Sequence, residues 1–301
     1  MSSSAPASRA NAWAGTVCVV IAATGFSAKA ILIKLAYRWQ VDAVTLLALR
    51  MALALPFFVV AAWWSTRRAS GRIGAREWAA LVTLGLSGYY LASLFDFMGL
   101  EYISASLERL ILFLYPTLVV LLNWAWYRRA PGRREWAALT LSYLGIALVV
   151  AGEGVGGQRE LAWGVALVFA SSLTYAVYLV GSAALIARVG SVRFTALAMT
   201  VSCLAVFVHY ALAATPPLTA LPLPVWWLGL AMALLSTVLP TFLVSEGIRR
   251  IGANRASLIS SIGPVLTITF GVIFLGEVVR PLQWCGAALV IGGVLLVGLR
   301  K

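Results

Sequence analysis

Ten apolar stretches of about twenty residues follow one another along this chain, and they constrain its fold more than any other feature. They run over about 13–35, 43–64, 78–98, 104–127, 135–152, 161–187, 194–214, 225–248, 253–275 and 281–299. A helix rises about 1.5 Å per residue, so each stretch can cross the ~30 Å hydrocarbon core of a bilayer. The runs are continuous rather than alternating, which predicts helices and not barrel strands. Short connectors rich in turn formers separate them, among them "RRASGRIGAR" (67–76), "RRAPGRR" (128–134), "GEGVGGQRE" (152–160) and "ATPPLTALPLP" (214–224). Charged residues make up only 11% of the 301, where a soluble domain carries roughly a quarter. Such a chain cannot cover a water-facing surface. The sequence therefore predicts an all-α membrane protein with ten transmembrane helices.

The formal net charge of +13 would suggest nucleic acid in a soluble protein. Here the basic residues sit between apolar runs and report orientation instead, so no nucleic-acid partner is expected. If the N-terminus lies on one side, that side collects sixteen Lys and Arg, from Arg9 through the connectors around Arg72, Arg133, Arg193 and Arg250 to Arg300 and Lys301. The opposite side holds Arg38, Arg159 and Arg280. The positive-inside rule then places both termini in the cytoplasm and the chain in the cell inner membrane. Residues 1–12 read as a cytoplasmic tail; the apolar run after it is too long for a signal-peptide core. Cys18, Cys203 and Cys285 lie inside apolar runs at unrelated spacings, which suits small buried hydrophobes and gives no metal or cofactor site.

The chain repeats itself. Gly99 and Gly247, Ile103 and Ile251, Ala105 and Ala253, Pro116 and Pro264, Trp136 and Trp284, and Gly145 and Gly293 are all 148 residues apart. Upstream the offset becomes 150, pairing Trp13 with Trp163, Thr24 with Thr174 and Arg38 with Arg188. The reading is two five-helix repeats, 13–152 and 161–301, joined by an external linker at 153–160. Five is odd, so the second repeat enters the membrane from the opposite face. Inverted repeats of this kind characterise secondary transporters, which bind substrate between the halves near the midplane.

The segment "ASLISSIGPVLTITFGVIFLGEVVRPLQWCGAALVIGGVLLVG" (256–298) carries a mid-helix Pro264, a Leu275-Gly276-Glu277 turn, Gln283, Gly286 and the Gly292-Gly293 pair. It resembles the EamA-type repeat of the drug/metabolite transporter superfamily. The first repeat matches more loosely: Arg129 stands where the second has Glu277, and "ATGFSAKAI" (23–31) lacks a tryptophan common in the first span. The resemblance covers nearly the full length. It implies export of small amphipathic metabolites, foremost amino acids including bulky apolar or aromatic ones, with efflux of cationic drugs or other metabolites as the alternative. It also implies that spans one, three, four, six, eight and nine line a cavity while five and ten brace it. Nothing in the sequence sets an oligomeric state, and a monomer satisfies this architecture.

Ionisable residues inside a membrane are costly and therefore candidates for function. Asp96 shares a helical face with Tyr89 and Ser93. Its counterpart at the 150 offset is Glu246, which can instead pair with Arg249 or Arg250 at i+3 and i+4. Glu108 and Arg109 fall roughly 6–8 Å below the outer end of span four. Either they line an outward vestibule, Arg109 holding a carboxylate and Glu108 an amine, or they sit among headgroups. Lys29 lies deep in span one and needs a partner or water, whereas Lys34 can snorkel outward. Arg50 is expected to pair with Asp42 or Asp96. Asp96, Glu108 or Glu246 could carry a proton against substrate; otherwise the protein is a facilitator.

Tyr175 and Tyr178, with Ser171 and Ser182, form a polar and aromatic stripe on span six; together with Tyr89, Tyr115 and Trp163 they offer walls for an apolar substrate. Interface belt and helix packing is the competing reading, and it fits Trp63, Trp64, Trp124, Trp126, Trp226 and Trp227. Pro116, Pro240 and Pro264 fall inside spans four, eight and nine, where each bends its helix and frees carbonyls. Ser257, Ser261 and Pro264 share one face of span nine.

An ATP-driven pump within this chain is excluded by the lack of a P-loop. "GLSG" (85–88) matches the short motif of intramembrane serine proteases, with His209 as the single histidine. That reading leaves the inverted repeat without a purpose.

Overall fold

The computed structural model of the protein describes residues 9–69, 71–128, 130–152, 158–213 and 216–298. At 9–11, 158, 253, 254, 257, 297 and 298 the backbone alone is described. Residues 1–8 of the tail, Arg129, most of the linker at 153–160, and Arg300 and Lys301 lie outside the described residues.

Fourteen α-helices are found among the described residues. The first repeat holds α1 (Arg9–Tyr37), α2 (Ala43–Arg68), α3 (Ala75–Gly85), α4 (Ala92–Leu100), α5 (Ala105–Leu112), α6 (Tyr115–Tyr127) and α7 (Arg133–Gly152). The second holds α8 (Gln158–Val189), α9 (Ser191–Leu212), α10 (Leu223–Ala233), α11 (Leu239–Ile251), α12 (Ala253–Ser260), α13 (Gly263–Phe270) and α14 (Pro281–Gly298). Nine continuous or jointed stretches among them are long and apolar enough to cross a membrane, and Pro281–Leu296 is a shorter apolar helix where the tenth is expected. The chain is thus an integral multi-pass membrane protein.

Local chemistry explains the ends. Asp42 caps α2 by accepting from Thr45 N at 2.9 Å, and Ser104 caps α5 by accepting from Leu107 N at 3.2 Å. Gly252 closes α11 with a φ of +79°, a conformation costly for any residue with a Cβ. At the far end of α2, Arg67 and Arg68 each lie 3.9 Å over the rings of Trp63 and Trp64, the arrangement of an interfacial belt. Trp226 departs from the expected belt and packs half-buried on the main core.

Four spans are jointed rather than merely bent. Span four stops at Leu112 and restarts at Tyr115; span nine stops at Ser260 and restarts at Gly263. Pro116 and Pro264 occupy the first turn of the restarted halves, where a missing N–H costs nothing. The prolines therefore begin half-helices instead of kinking continuous ones. Spans three and eight instead carry one π-helical turn each, at Leu86–Leu91 and Leu234–Val238, and Pro240 follows the second of these. Leu86 and Leu234 are again 148 apart. A further π turn, Gly271–Leu275, ends span nine. Such turns are single-turn insertions that cluster at functional sites.

The packing obeys the same offset. A methyl on Gly145 would meet the Gly286 carbonyl at 2.6 Å, and one on Gly293 would meet the Ala138 carbonyl at 2.7 Å. These are equivalent contacts under the 148 shift, and they let α7 and α14 press backbone to backbone. Gly247, facing the Gly15 carbonyl, lets α11 approach α1, and Gly99 and Gly164, each facing the other's carbonyl, let α4 approach α8. The largest core surrounds α2, with Leu46, Leu47, Leu49, Met51 and Phe58 against spans one, three, seven and eight. A second core gathers Leu107, Leu110 and Ile111 of α5 with Val168 and Val290.

Candidate functional site

Three ionisable side chains from three spans of the first repeat converge between these cores. Lys29 Nζ on α1 lies 2.5 Å from Asp96 Oδ2 on α4 and 3.6 Å from Glu108 Oε1 on α5. Asp96 is 2% exposed and Glu108 is 0% exposed. Glu108 reaches the interior because Ser104 starts α5 one turn earlier, which turns position 108 inward while Ala105, Leu107 and Leu110 pack. The headgroup reading for Glu108 is therefore wrong: a fully buried carboxylate cannot sit in the interface. Asp96 and Glu108 are close enough that a proton on either one would hydrogen-bond it to the other, whereas two carboxylates have no donor to share. Asp96 Oδ1 and both Glu108 oxygens consequently have no hydrogen-bond partner.

Two arginines flank this group. Arg50, 4% exposed, donates from Nη2 to Ser93 Oγ at 2.9 Å and lies 4.8 Å over the Phe97 ring. The expected ion pair with Asp42 or Asp96 does not form: Ser93 and Phe97, on the face that also carries Asp96, intercept the guanidinium, and Asp42 is engaged in capping α2. Arg109 packs its guanidinium against Gly263 at the restart of span nine; a Cβ at 263 would lie 2.6 Å from Nη2. No carboxylate among the described residues pairs with Arg109 within ion-pair distance.

Beyond Arg109 stands a run of four tyrosines. Tyr115 and Tyr175 meet edge to face with centroids 5.4 Å apart, Tyr175 and Tyr178 stack at 5.7 Å, and Tyr178 and Tyr89 lie at 4.9 Å with their hydroxyls 2.9 Å apart. Spans three, four and six thus share one aromatic wall, and Arg109 is within electrostatic range of Tyr115 and Tyr175. Serines hold the wall in place: Ser171 donates to Ala92 O at 2.7 Å, Ser172 to Ile111 O at 3.0 Å and Ser87 to Thr174 O at 3.0 Å. Span one is tied to the break in span nine, Ser27 donating to Gly263 O at 3.1 Å and Thr267 donating back to Ser27 O at 3.2 Å.

Other candidates lie elsewhere. Trp163 is 55% exposed, so it belongs to the outer surface and not to an enclosed pathway. Glu246 accepts from Arg249 at 2.6 Å and 2.8 Å and from Arg250 at 2.6 Å, one turn away on its own helix; it shares the offset of Asp96 but not its surroundings. Ser261 donates locally to Leu258 O at 2.6 Å. Ser257 lies on α12, and its side chain is outside the described residues. Ser182 is buried within span six. Ser87 and the single His209 have different partners, the latter the Tyr90 hydroxyl at 3.1 Å, so no serine–histidine dyad forms.

A further carboxylate, not among the candidates above, reaches the helix that carries Glu108 and Arg109. Glu277, two residues beyond the Gly271–Leu275 π turn, accepts from Ala105 N at 2.7 Å and from Ser106 N at 3.2 Å, and Ser106 Oγ lies 2.5 Å away. It thereby caps the short helix that carries Glu108 and Arg109. The signal lay in the Leu275-Gly276-Glu277 turn, but a contact across 172 residues has no local signature. Two apolar clefts, of about 520 and 630 Å³, open between Pro56, Trp64 and Phe242 and between Leu114, Tyr143 and Phe169; neither is lined by an Asp, Glu, Lys, Arg or His side chain.

Comparison with known proteins agrees with this construction. The EamA-like transporter family matches twice, at residues 13–151 and 162–299. An uncharacterized transporter of Bacillus subtilis (strain 168), YcbK, is 32% identical over 289 residues, covering 94% of this chain and 91% of its own. The uncharacterized transporter sll1319 of Synechocystis sp. is 26% identical over 230 residues, covering 74% and 67%. A crystal structure at 18% identity superposes with a TM-score of 0.63 over 96% of this chain and 98% of its own, a likeness of fold. Two family repeats, jointed spans at matching positions and a buried charged cluster between packed helices are one architecture, and the chain belongs to the EamA-like transporter family of the drug/metabolite transporter superfamily.

Proposed function

We propose that this protein is a secondary transporter of the inner membrane that exports small amphipathic metabolites, foremost amino acids with bulky apolar or aromatic side chains. The observation that carries the reading is the succession Asp96–Glu108, Arg109 and the tyrosine wall. Buried carboxylates suit an ammonium group, the guanidinium suits a carboxylate, and stacked rings suit an apolar side chain. An amino acid carries all three. Lys29, Arg50 and Arg109 stand with Asp96 and Glu108, so the site holds both signs of charge, as a zwitterion with separate ammonium and carboxylate groups requires.

Movement follows from the joints. Two inverted five-helix repeats, with both termini cytoplasmic, rock about the site and expose it to each face in turn. The breaks before Pro116 and Pro264 and the paired π turns supply the points where backbone angles change. Asp96 and Glu108 are also the residues at which a proton could exchange for substrate. Glu246, neutralised by two arginines at a helix end, is the weaker coupling candidate. Efflux of cationic amphiphiles is the second reading, favoured by the three carboxylate oxygens without donors.

Cells expressing the protein and fed phenylalanine-containing dipeptides test the reading. They should release free phenylalanine several-fold faster than cells expressing an Asp96→Asn variant. Equal release from both, with the protein present in the membrane, would contradict it.

A further inference from the structure

We infer that Lys29 is a built-in stand-in for the ammonium group of the substrate: in the empty transporter its Nζ occupies the seat between Asp96 and Glu108, and an amine-bearing substrate enters by displacing it. The inference rests on the transport reading above and adds the role of one residue in it.

The seat is only partly filled. Lys29 satisfies Asp96 Oδ2 at 2.5 Å but stands 3.6 Å from Glu108 Oε1, beyond a hydrogen bond. Asp96 Oδ1 and both Glu108 oxygens remain buried acceptors without donors. A free ammonium has three N–H groups and no tether, so it can settle nearer to both carboxylates than a lysine anchored on α1. Lys29 is also the one member of the group with a path out. Its side chain is 17% exposed, against 2% and 1% for the two acids, and its four-carbon stem is flexible. The neighbouring cations cannot take its place. Arg50 is held by Ser93 and Phe97 on α4, and Arg109 is packed on Gly263. Tyr37, the remaining titratable group facing Asp96, is occupied in donating to Phe97 O at 2.6 Å.

The consequence concerns the return step. Two carboxylates without a cation between them resist being carried through a closed, low-dielectric state. With Lys29 in the seat the empty transporter can reorient, so net export is possible. Without Lys29 the empty form returns only when protons neutralise the carboxylates, so where they stay ionised the protein becomes an exchanger.

Two measurements test this. Purified Lys29→Ala protein is first titrated with methylammonium, which should refill the seat and raise its Tm by about 2–4 °C well above the dissociation constant. Wild type should not respond, nor should the variant respond to tetramethylammonium, which lacks N–H donors. An unshifted variant overturns the inference whatever the true substrate is. In proteoliposomes loaded with labelled phenylalanine, Lys29→Ala should then keep counterflow, with a lower half-saturation, while its net efflux falls by about tenfold or more. Parallel loss of both activities would mean a merely structural lysine and would also overturn it. Wild type lacking any counterflow would instead refute the transport reading, leaving the amine titration to decide the role of Lys29. If Lys29→Ala does not fold, the Lys29→Ala/Glu108→Gln variant removes one unpaired charge and takes its place: a methylammonium shift through Asp96 supports the inference, and no shift overturns it.

Discussion

The carboxylate of Glu277 in the second repeat lies 2.5 Å from the hydroxyl of Ser106 in the first and accepts from the backbone N–H of Ala105 and Ser106. This ties the loop after span nine to the half-helix bearing Glu108 and Arg109. Glu277→Ala leaves two backbone donors without this acceptor, at a cost of about 1–3 kcal/mol each where they stay buried. We expect faster hydrogen exchange at Ala105 and Ser106 and a several-fold drop in transport. Ser106→Ala, which removes only the hydroxyl, should cost about 1 kcal/mol and leave most transport. Exchange rates at 105 and 106 that do not change in Glu277→Ala would show that the contact is incidental.

Asp96→Asn leaves the Lys29 ammonium facing a neutral amide in place of its charged 2.5 Å partner. Breaking a buried pair from one side typically costs about 3–5 kcal/mol. Glu108→Gln keeps that pair and should be the milder change in thermal stability. Both should reduce transport by about tenfold or more if the carboxylates bind the substrate amine. Thermal unfolding and uptake measured on the same preparations separate the two effects.

Gly263 is small because Arg109 lies against it. Gly263→Val should force the guanidinium aside and raise the half-saturation for amino acids, while amines lacking a carboxylate are transported as before. Arg109→Gln should do the same. Equal losses for both substrate types would remove Arg109 from carboxylate recognition.

Tyr178 is buried and stacked between Tyr175 and Phe194, so truncation to alanine would open a core cavity as well as alter the wall. Tyr178→Phe is the cleaner probe, since it keeps the ring and removes the 2.9 Å contact with the Tyr89 hydroxyl. We expect nearly unchanged expression and a two- to five-fold change, about 0.4–1 kcal/mol, in apparent affinity for aromatic substrates.

The spans were legible because hydrocarbon demands about twenty consecutive apolar residues, whatever packs beside them. The repeat was legible too, since Pro116 and Pro264 or Gly145 and Gly293 keep their register in the chain. Spacing put Tyr175 and Tyr178 on one face of span six, but their meeting with Tyr89 and Tyr115 and the outward position of Trp163 depend on packing between spans. Three further features were not legible. The meeting of Lys29, Asp96 and Glu108 depends on how three spans rotate about their own axes, which apolar runs do not specify. The π turns at Leu86–Leu91 and Leu234–Val238 arise from one extra residue per turn and leave no compositional trace. Arg50 was expected beside a carboxylate by charge alone, but a hydroxyl and an aromatic face hold it instead.

The most direct test of the central claim is counterflow in proteoliposomes preloaded with unlabelled phenylalanine and supplied outside with a trace of the labelled compound. Carrier-mediated transport at the Asp96–Glu108–Arg109 site predicts a transient accumulation of label above equilibrium, slowed about tenfold or more in Asp96→Asn. A trace that rises only to equilibrium, at the rate of protein-free vesicles and with folded wild-type protein, would contradict it.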